Sequence, residues 1–257
     1  MSASASAGRR RLGFGIFTLA MVAVCIGLGV WQLQRRVEKH ALIAALTERL
    51  AAEPASLPSP PAWSKLTAQK DEFRRVRFKA TYGAGADAMV YSSGSAVRDD
   101  VSGPGTWAFI PARLESGEVI VINAGFVPNT MQDRAQQDRA VTRLITGEAA
   151  DLTGYIRFPE SAGLLTPSAN VEKRLWFARD HLAMAQALGW ASGSKTVAPF
   201  YIDLEQPAPP SGIPKPGPLQ VHLKDDHLQY AITWFALAGA VAIAFLVWWR
   251  GRRQPSD

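Results

Sequence analysis

Cysteine is nearly missing from this chain. Of its 257 residues only Cys25 is one, and it sits inside a long apolar run. No intramolecular disulfide can form, and the rest of the chain has no thiol chemistry, a composition that suits an oxidising compartment. Histidine is scarce too. His40, His181, His222 and His227 are all there are, and they make no metal-spaced Cys/His cluster. There is no G-x-S-x-G elbow, and no glycine-rich phosphate loop joins a strand to a helix. One S-x-x-K match, Ser192-Gly193-Ser194-Lys195, lies in a Gly/Ser stretch rather than at a helix start in an apolar cleft, which favours a solvated turn. Asp99-Asp100 and Asp225-Asp226 are adjacent pairs whose side chains need not converge. These absences argue against an enzyme; a membrane-tethered periplasmic enzyme, of which Ser192 and Lys195 are the only trace, is the weakest of the readings kept open.

A basic face is also lacking. The net charge is +6, yet residues 1–39 and 228–257 hold nine of the 28 Lys/Arg and only two of the 22 Asp/Glu. Residues 40–227 are left with 19 basic and 20 acidic side chains. Nothing there attracts phosphate backbones, so a nucleic-acid partner is not expected.

What the chain has in quantity is apolar length at both ends. Leu12 to Gln34 and Leu228 to Trp249 contain no charged residue, and a bilayer-spanning helix needs roughly 20 such positions. Arg9, Arg10 and Arg11 precede the first run, and Arg250, Arg252 and Arg253 follow the second. Lys and Arg favour the cytoplasmic side of a span, which puts both termini inside and the middle outside. Arg35, Arg36 and Lys39 oppose that orientation, but long loops translocate largely regardless of charge. The first run is long for a cleaved signal and no A-x-A site follows it. The start, MSASASAGRRR, is short for a transit peptide, so a bacterial inner membrane is expected, with a periplasmic central domain and lipid as a constant partner.

The expected organisation is a cytoplasmic N-terminus at 1–11, a first span at 12–34 and a juxtamembrane helix at 35–53. A Pro-rich linker follows at 54–71, then a mainly β domain at 72–205. A Pro/Gly linker covers 206–226, the second span 227–249 and a cytoplasmic tail 250–257. Leu42, Ile43, Leu46 and Leu50 carry helical spacing past the first span until Pro54. Val76, Phe78, Ala80 and Tyr82 alternate with Arg75, Arg77, Lys79 and Thr81, the pattern of a half-buried strand. Further strands are expected at 88–92, 107–114, 118–124, 152–158, 175–179 and 199–204, with a hairpin turn at Glu115–Glu118. Asp180 reads as the N-cap of a short helix ended by Gly189. The fold class expected is thus a membrane protein in which two terminal transmembrane helices flank a mainly antiparallel β (α+β) domain.

His181 is placed by this pattern in the first turn of the short helix, at the surface. His222 lies in the linker and has no evident partner. His227 stands at the outer end of the second span, with Tyr230 at i+3 and Trp234 at i+7 along one helix face. Such a set is able to ligate a haem iron and stack on the macrocycle. It also describes an interfacial histidine with an aromatic belt. The residue pattern alone favours the second reading.

Several segments, taken together, resemble the surfeit locus (Shy-type) family of cytochrome c oxidase assembly factors. Trp31-Gln32-Leu33-Gln34-Arg35 with Lys39 and Leu42-Ile43 resembles its G-x-W-Q-x-x-R signature. Phe73-Arg74-Arg75-Val76 resembles its first-strand motif, and Val119 to Pro128 its V-L-V-N-R-G-W-V-P segment, with Ala124 and Phe126 in place of the arginine and tryptophan. Leu175 to Asp180 and Pro199-Phe200-Tyr201 resemble later blocks. His227 to Phe235 resembles the H-x-x-Y-A-x-T-W-F start of the last span. The resemblance implies a non-enzymatic role in building haem–copper oxidase by delivering or inserting haem a into subunit I, with haem a synthase as a further partner. Carried over, it makes His227 the ligand of the haem a iron; from the helix face, Tyr230, Thr233 and Trp234 are then expected to line the site. His40 is a guess for the opposite axial position. A cofactor-free scaffold for oxidase subunits is the alternative.

Overall fold

The computed structural model describes residues 2–83, 85–95, 97–129, 134–191, 196–220 and 225–251. The chain divides into two compact units, one made of residues 1–44 and 223–257, the other of residues 45–222. Ser192, Lys195 and His222 lie outside the described residues.

The first unit is a pair of helices. α1 (Ser2–Ala51) continues unbroken past the first apolar run, and α5 (His227–Gly251) forms the second span. Both are long and apolar enough to cross a membrane, and their apolar windows are only 17% and 11% buried within the protein. The outward Leu12, Ile16, Phe17, Leu19, Ile232, Ile243 and Val247 need lipid rather than water around them. Small residues let the helices meet, as membrane helix pairs commonly do. Ala231 and Ala238 are buried, and a Cβ at Gly29 would come within 2.6 Å of the Phe235 ring. At the other end Phe14 packs on Trp248 at 4.7 Å between ring centroids.

The second unit is built on β1 (Ala55–Ser56), β2 (Arg75–Tyr82), β3 (Ala88–Ser92), β4 (Gly105–Arg113), β5 (Val119–Pro128), β6 (Ala149–Arg157), β7 (Leu175–Trp176) and β8 (Val197–Gln206). Their order is β1-β2-β6-β8-β5-β4-β3-β7, and β2 pairs again with β4 through Thr81–Arg113 and Tyr82–Ala112. That second pairing closes β2, β6, β8, β5 and β4 into a barrel, which removes their free edges. Within the barrel the pairings are antiparallel except that β5 and β8 run parallel, and the short outer strands also pair parallel, β1 with β2 and β7 with β3. The barrel interior holds Val76, Phe78, Ile110, Ile120, Ile122, Leu152, Phe200 and Ile202. The intervening residues of β4 and β5 are buried as well, because α4 (His181–Leu188) covers that face with Met184 and Ala185 against Trp107, Phe109, Val121 and Tyr201.

The expected turn and caps are present. Leu114 N–H donates to Glu118 O, and Gly117 adopts φ 95. Asp180 caps α4 by accepting from the Leu182 and Ala183 N–H groups, and Gly189 ends it at φ 68. Two short helices, α2 (Ala68–Asp71) and α3 (Arg134–Thr142), complete the unit, together with a 3-10 turn at Pro60–Lys65. That turn buries Trp63, whose ring meets Phe200 edge-on at 5.6 Å.

The surface placement of His181 is corrected. It is fully buried. His181, Met184, Ala185 and Leu188 recur at i, i+3, i+4 and i+7, so the histidine belongs to the apolar face of α4 and turns toward the barrel. Its Nε2–H donates to Ala198 O at 3.0 Å, and burial pushes the imidazole below its ordinary value.

Candidate functional site

The polar end of the helix pair brings together side chains far apart in sequence. Asp225 precedes α5 and accepts from the His227 backbone N–H at 3.1 Å, satisfying one of the donors that a helix start leaves open. Its other carboxylate oxygen accepts from His40 Nε2–H at 2.6 Å and lies 3.5 Å from Arg36 Nε. One turn earlier on α1, Gln32 Oε1 lies 2.8 Å from His227 Nδ1 in a hydrogen bond. Gln32, Arg36 and His40, spaced by four, thus form one stripe of α1 that holds the start of α5.

His227 is half-buried, and Trp234, two turns on, lies about 20° from it around the helix. Ala231 is buried between them. Tyr230 stands at the flank of this face, 56% exposed. Thr233 is turned roughly 120° away from His227 by helical geometry, and its hydroxyl donates to Gln229 O at 2.9 Å. The structure therefore groups His227 with Trp234, keeps Tyr230 beside them, and gives Thr233 a different face. His40 is brought to the same end of the pair, with its Nε2 committed to Asp225.

Among the described residues no group of three or more His, Cys, Asp or Glu side chains is placed to hold a bare metal ion. A haem needs less, because the macrocycle supplies four nitrogens and the protein one or two axial ligands. One imidazole beside exposed and half-buried aromatics fits that demand.

Reading the sequence alone missed Gln32 and Asp225 as parts of this site. Gln32 was legible in principle, since an amide within an apolar span is costly unless it finds a partner. Asp225 was passed over because an adjacent acidic pair looks like a solvated loop.

The sequence profile of the SURF1 family matches residues 19–239. The chain belongs to the SURF1 family. It is 30% identical over 264 residues to a SURF1-like protein of Monosiga brevicollis, covering all of this chain and 94% of that one. It is 30% identical over 251 residues to surfeit locus protein 1 of Rattus norvegicus, covering 93% and 76% of the two chains. The human surfeit locus protein 1 is 30% identical over 237 residues, covering 87% and 73%.

The motifs of this SURF1-family chain have structural reasons. Arg75 of the first-strand motif grips Glu205 of β8 through two bonds of 2.7 and 2.8 Å. Phe73 adopts φ 64 and lies under the Arg157 guanidinium at 4.5 Å. The divergent segment is core: Ala124 is fully buried in the barrel, and Phe126 packs on Trp107 at 5.3 Å. The barrel unit also has a cavity of about 450 Å³ lined by Leu50, Arg75, Tyr155, Glu205 and Leu219. Its charges are already paired with each other, and burial pushes the Tyr155 hydroxyl up to about 12.

Proposed function

We propose that this chain is a non-enzymatic assembly factor for a haem–copper cytochrome c oxidase, and that it holds haem a as cargo for subunit I. Membership of the SURF1 family supports the oxidase role. The observation that carries the haem reading is His227 at the polar end of the helix pair, inside a segment resembling H-x-x-Y-A-x-T-W-F, with its ring tied to Gln32 at 2.8 Å. His227 would hold the haem iron through its imidazole, Trp234 and Tyr230 would flank the macrocycle, and Asp225 fixes the helix start from which His227 projects. Thr233 serves the helix backbone in this arrangement. The arginines outside the spans favour both termini on the cytoplasmic side and the barrel on the other, and the membrane in this reading is a bacterial inner membrane. Subunit I is the acceptor of the cargo in this reading, and haem a synthase its source.

The test is genetic. Deleting the gene is expected to remove the haem a absorbance of the oxidase, wild type to restore it, and His227→Ala to leave it low. Unchanged haem a in the deletion strain rejects the function.

A cofactor-free scaffold is the second reading, favoured by an exposed apolar loop. Leu164 and Leu165 are wholly exposed beside Tyr91 and Phe177, whose rings lie 6.2 Å apart. Oxidase captured with this chain while haem is undetectable under every condition supports that reading.

A further inference from the structure

Resting on the haem reading of His227, we infer that Gln32 is a positioning residue that fixes the His227 tautomer and makes Nε2 the ligating nitrogen. His227 Nδ1 lies 2.8 Å from Gln32 Oε1. A carboxamide oxygen only accepts, so Nδ1 carries the proton and donates. A neutral imidazole has a single N–H, and Nε2 is left with the in-plane lone pair that an axial ligand requires.

The ring is held from two directions. Asp225 fixes the His227 backbone through its N–H at 3.1 Å, and Gln32 fixes the side chain. Asp225 is itself held by His40 and Arg36 from the α1 stripe that carries Gln32. The histidine is therefore oriented before any ligand arrives, and the ordering cost of binding is lowered. The acceptor also draws on the Nδ1 proton, which makes Nε2 more basic and a stronger donor to iron. The position of Gln32 agrees with this role. It is one of two amides, with Gln34, near the end of a largely apolar run, where a side chain of this kind is expensive without a partner. Its partner is 195 residues away in sequence, on the other helix.

The experiment uses the full chain in detergent, titrated with haemin and followed by the Soret band. Resonance Raman of the reduced complex then reads the iron–histidine stretch. His227→Ala is expected to lose the stretch. Gln32→Leu is expected to weaken haemin binding by about 10- to 100-fold, the usual effect of losing the partner of a ligating histidine, and to lower the stretch. Gln32→Glu places a carboxylate acceptor at the same position, so it is expected to retain binding and raise the stretch. This second variant keeps the test decisive where Gln32→Leu also loosens the helix pair, since a purely structural role does not raise the stretch. Wild-type affinity and an unchanged stretch in Gln32→Leu, or a Gln32→Glu chain as impaired as Gln32→Leu, overturns the role of Gln32 and leaves His227 as ligand. A His227→Ala chain that binds haemin like wild type overturns the haem reading, and the Gln32 inference with it.

Discussion

Arg157 donates to Asp203 at 2.6 Å in the barrel wall, and both side chains are less than a tenth exposed. The pair is part of a network. Asn123 Nδ2 donates to the other Asp203 oxygen at 2.6 Å, and Arg157 Nε donates to Glu72 at 2.6 Å. Burial alone would disfavour the Arg157 charge, but Asp203 and Glu72 more than offset it and raise its pKa. Removing one partner of such a pair strands a buried charge, which typically costs about 3–5 kcal/mol. Arg157→Leu is expected to destabilise the barrel by that order in chemical denaturation of the solubilised chain. Asp203→Asn added to it should recover part of the loss, because the more deeply buried carboxylate is then gone, while Glu72, 21% exposed, still lacks its arginine.

Gly125 is expected to tolerate no side chain. Its φ is +128, and a Cβ there would lie 2.3 Å from the Lys215 carbonyl carbon. Phe126 and Lys215 exchange both backbone hydrogen bonds at this point, so the strand beside it cannot easily withdraw. Gly125→Ala should cost at least about 1–3 kcal/mol from backbone strain alone. Gly163→Ala is the control: its nearest neighbour is Thr166 Oγ1 at 3.6 Å, and its stability should be unchanged. Melting curves of the two variants make the comparison.

Buried His181 makes the barrel acid-sensitive. Its imidazole is held neutral below the ordinary 6.5, chiefly by burial, which outweighs the hydrogen bond to Ala198. As pH falls below that value the unfolded chain takes up a proton that the folded chain refuses, so stability falls with pH. The slope from this group is at most about 1.4 kcal/mol per pH unit and ends where the folded imidazole itself protonates. Above pH 6.5 the group contributes no dependence. His181→Phe should flatten the stability profile below pH 6.5, measured by urea midpoints; a slope identical to wild type sinks the assignment.

Much of this fold was legible because its signals are local. Alternation from Arg75 to Tyr82 marks a strand with one wet face, and uncharged runs of span length mark the two membrane helices. Legibility ended where the decisive partner is remote. Nothing local says that Tyr82 pairs with Ala112 to close the barrel, or that β5 runs parallel to β8. Trp107, Phe109 and Val121 face α4 instead of water, and a strand buried on both faces loses the alternation that would announce it. His181 was misplaced for the same reason. Its helix is short and its first turn looks solvated, and only the packing of α4 on the barrel turns it inward. At the site, the motif made His227 legible, whereas Gln32 and Asp225 gain meaning only when α1 and α5 pair.

The most direct test of the central claim is to purify the chain from cells that make haem a and compare it with His227→Ala by haem content and absorption spectrum. Wild type is expected to carry haem a with a histidine-ligated Soret band, and the variant to lose most of the pigment or show a displaced band. Equal haem content with an unchanged Soret band in the two proteins would contradict it.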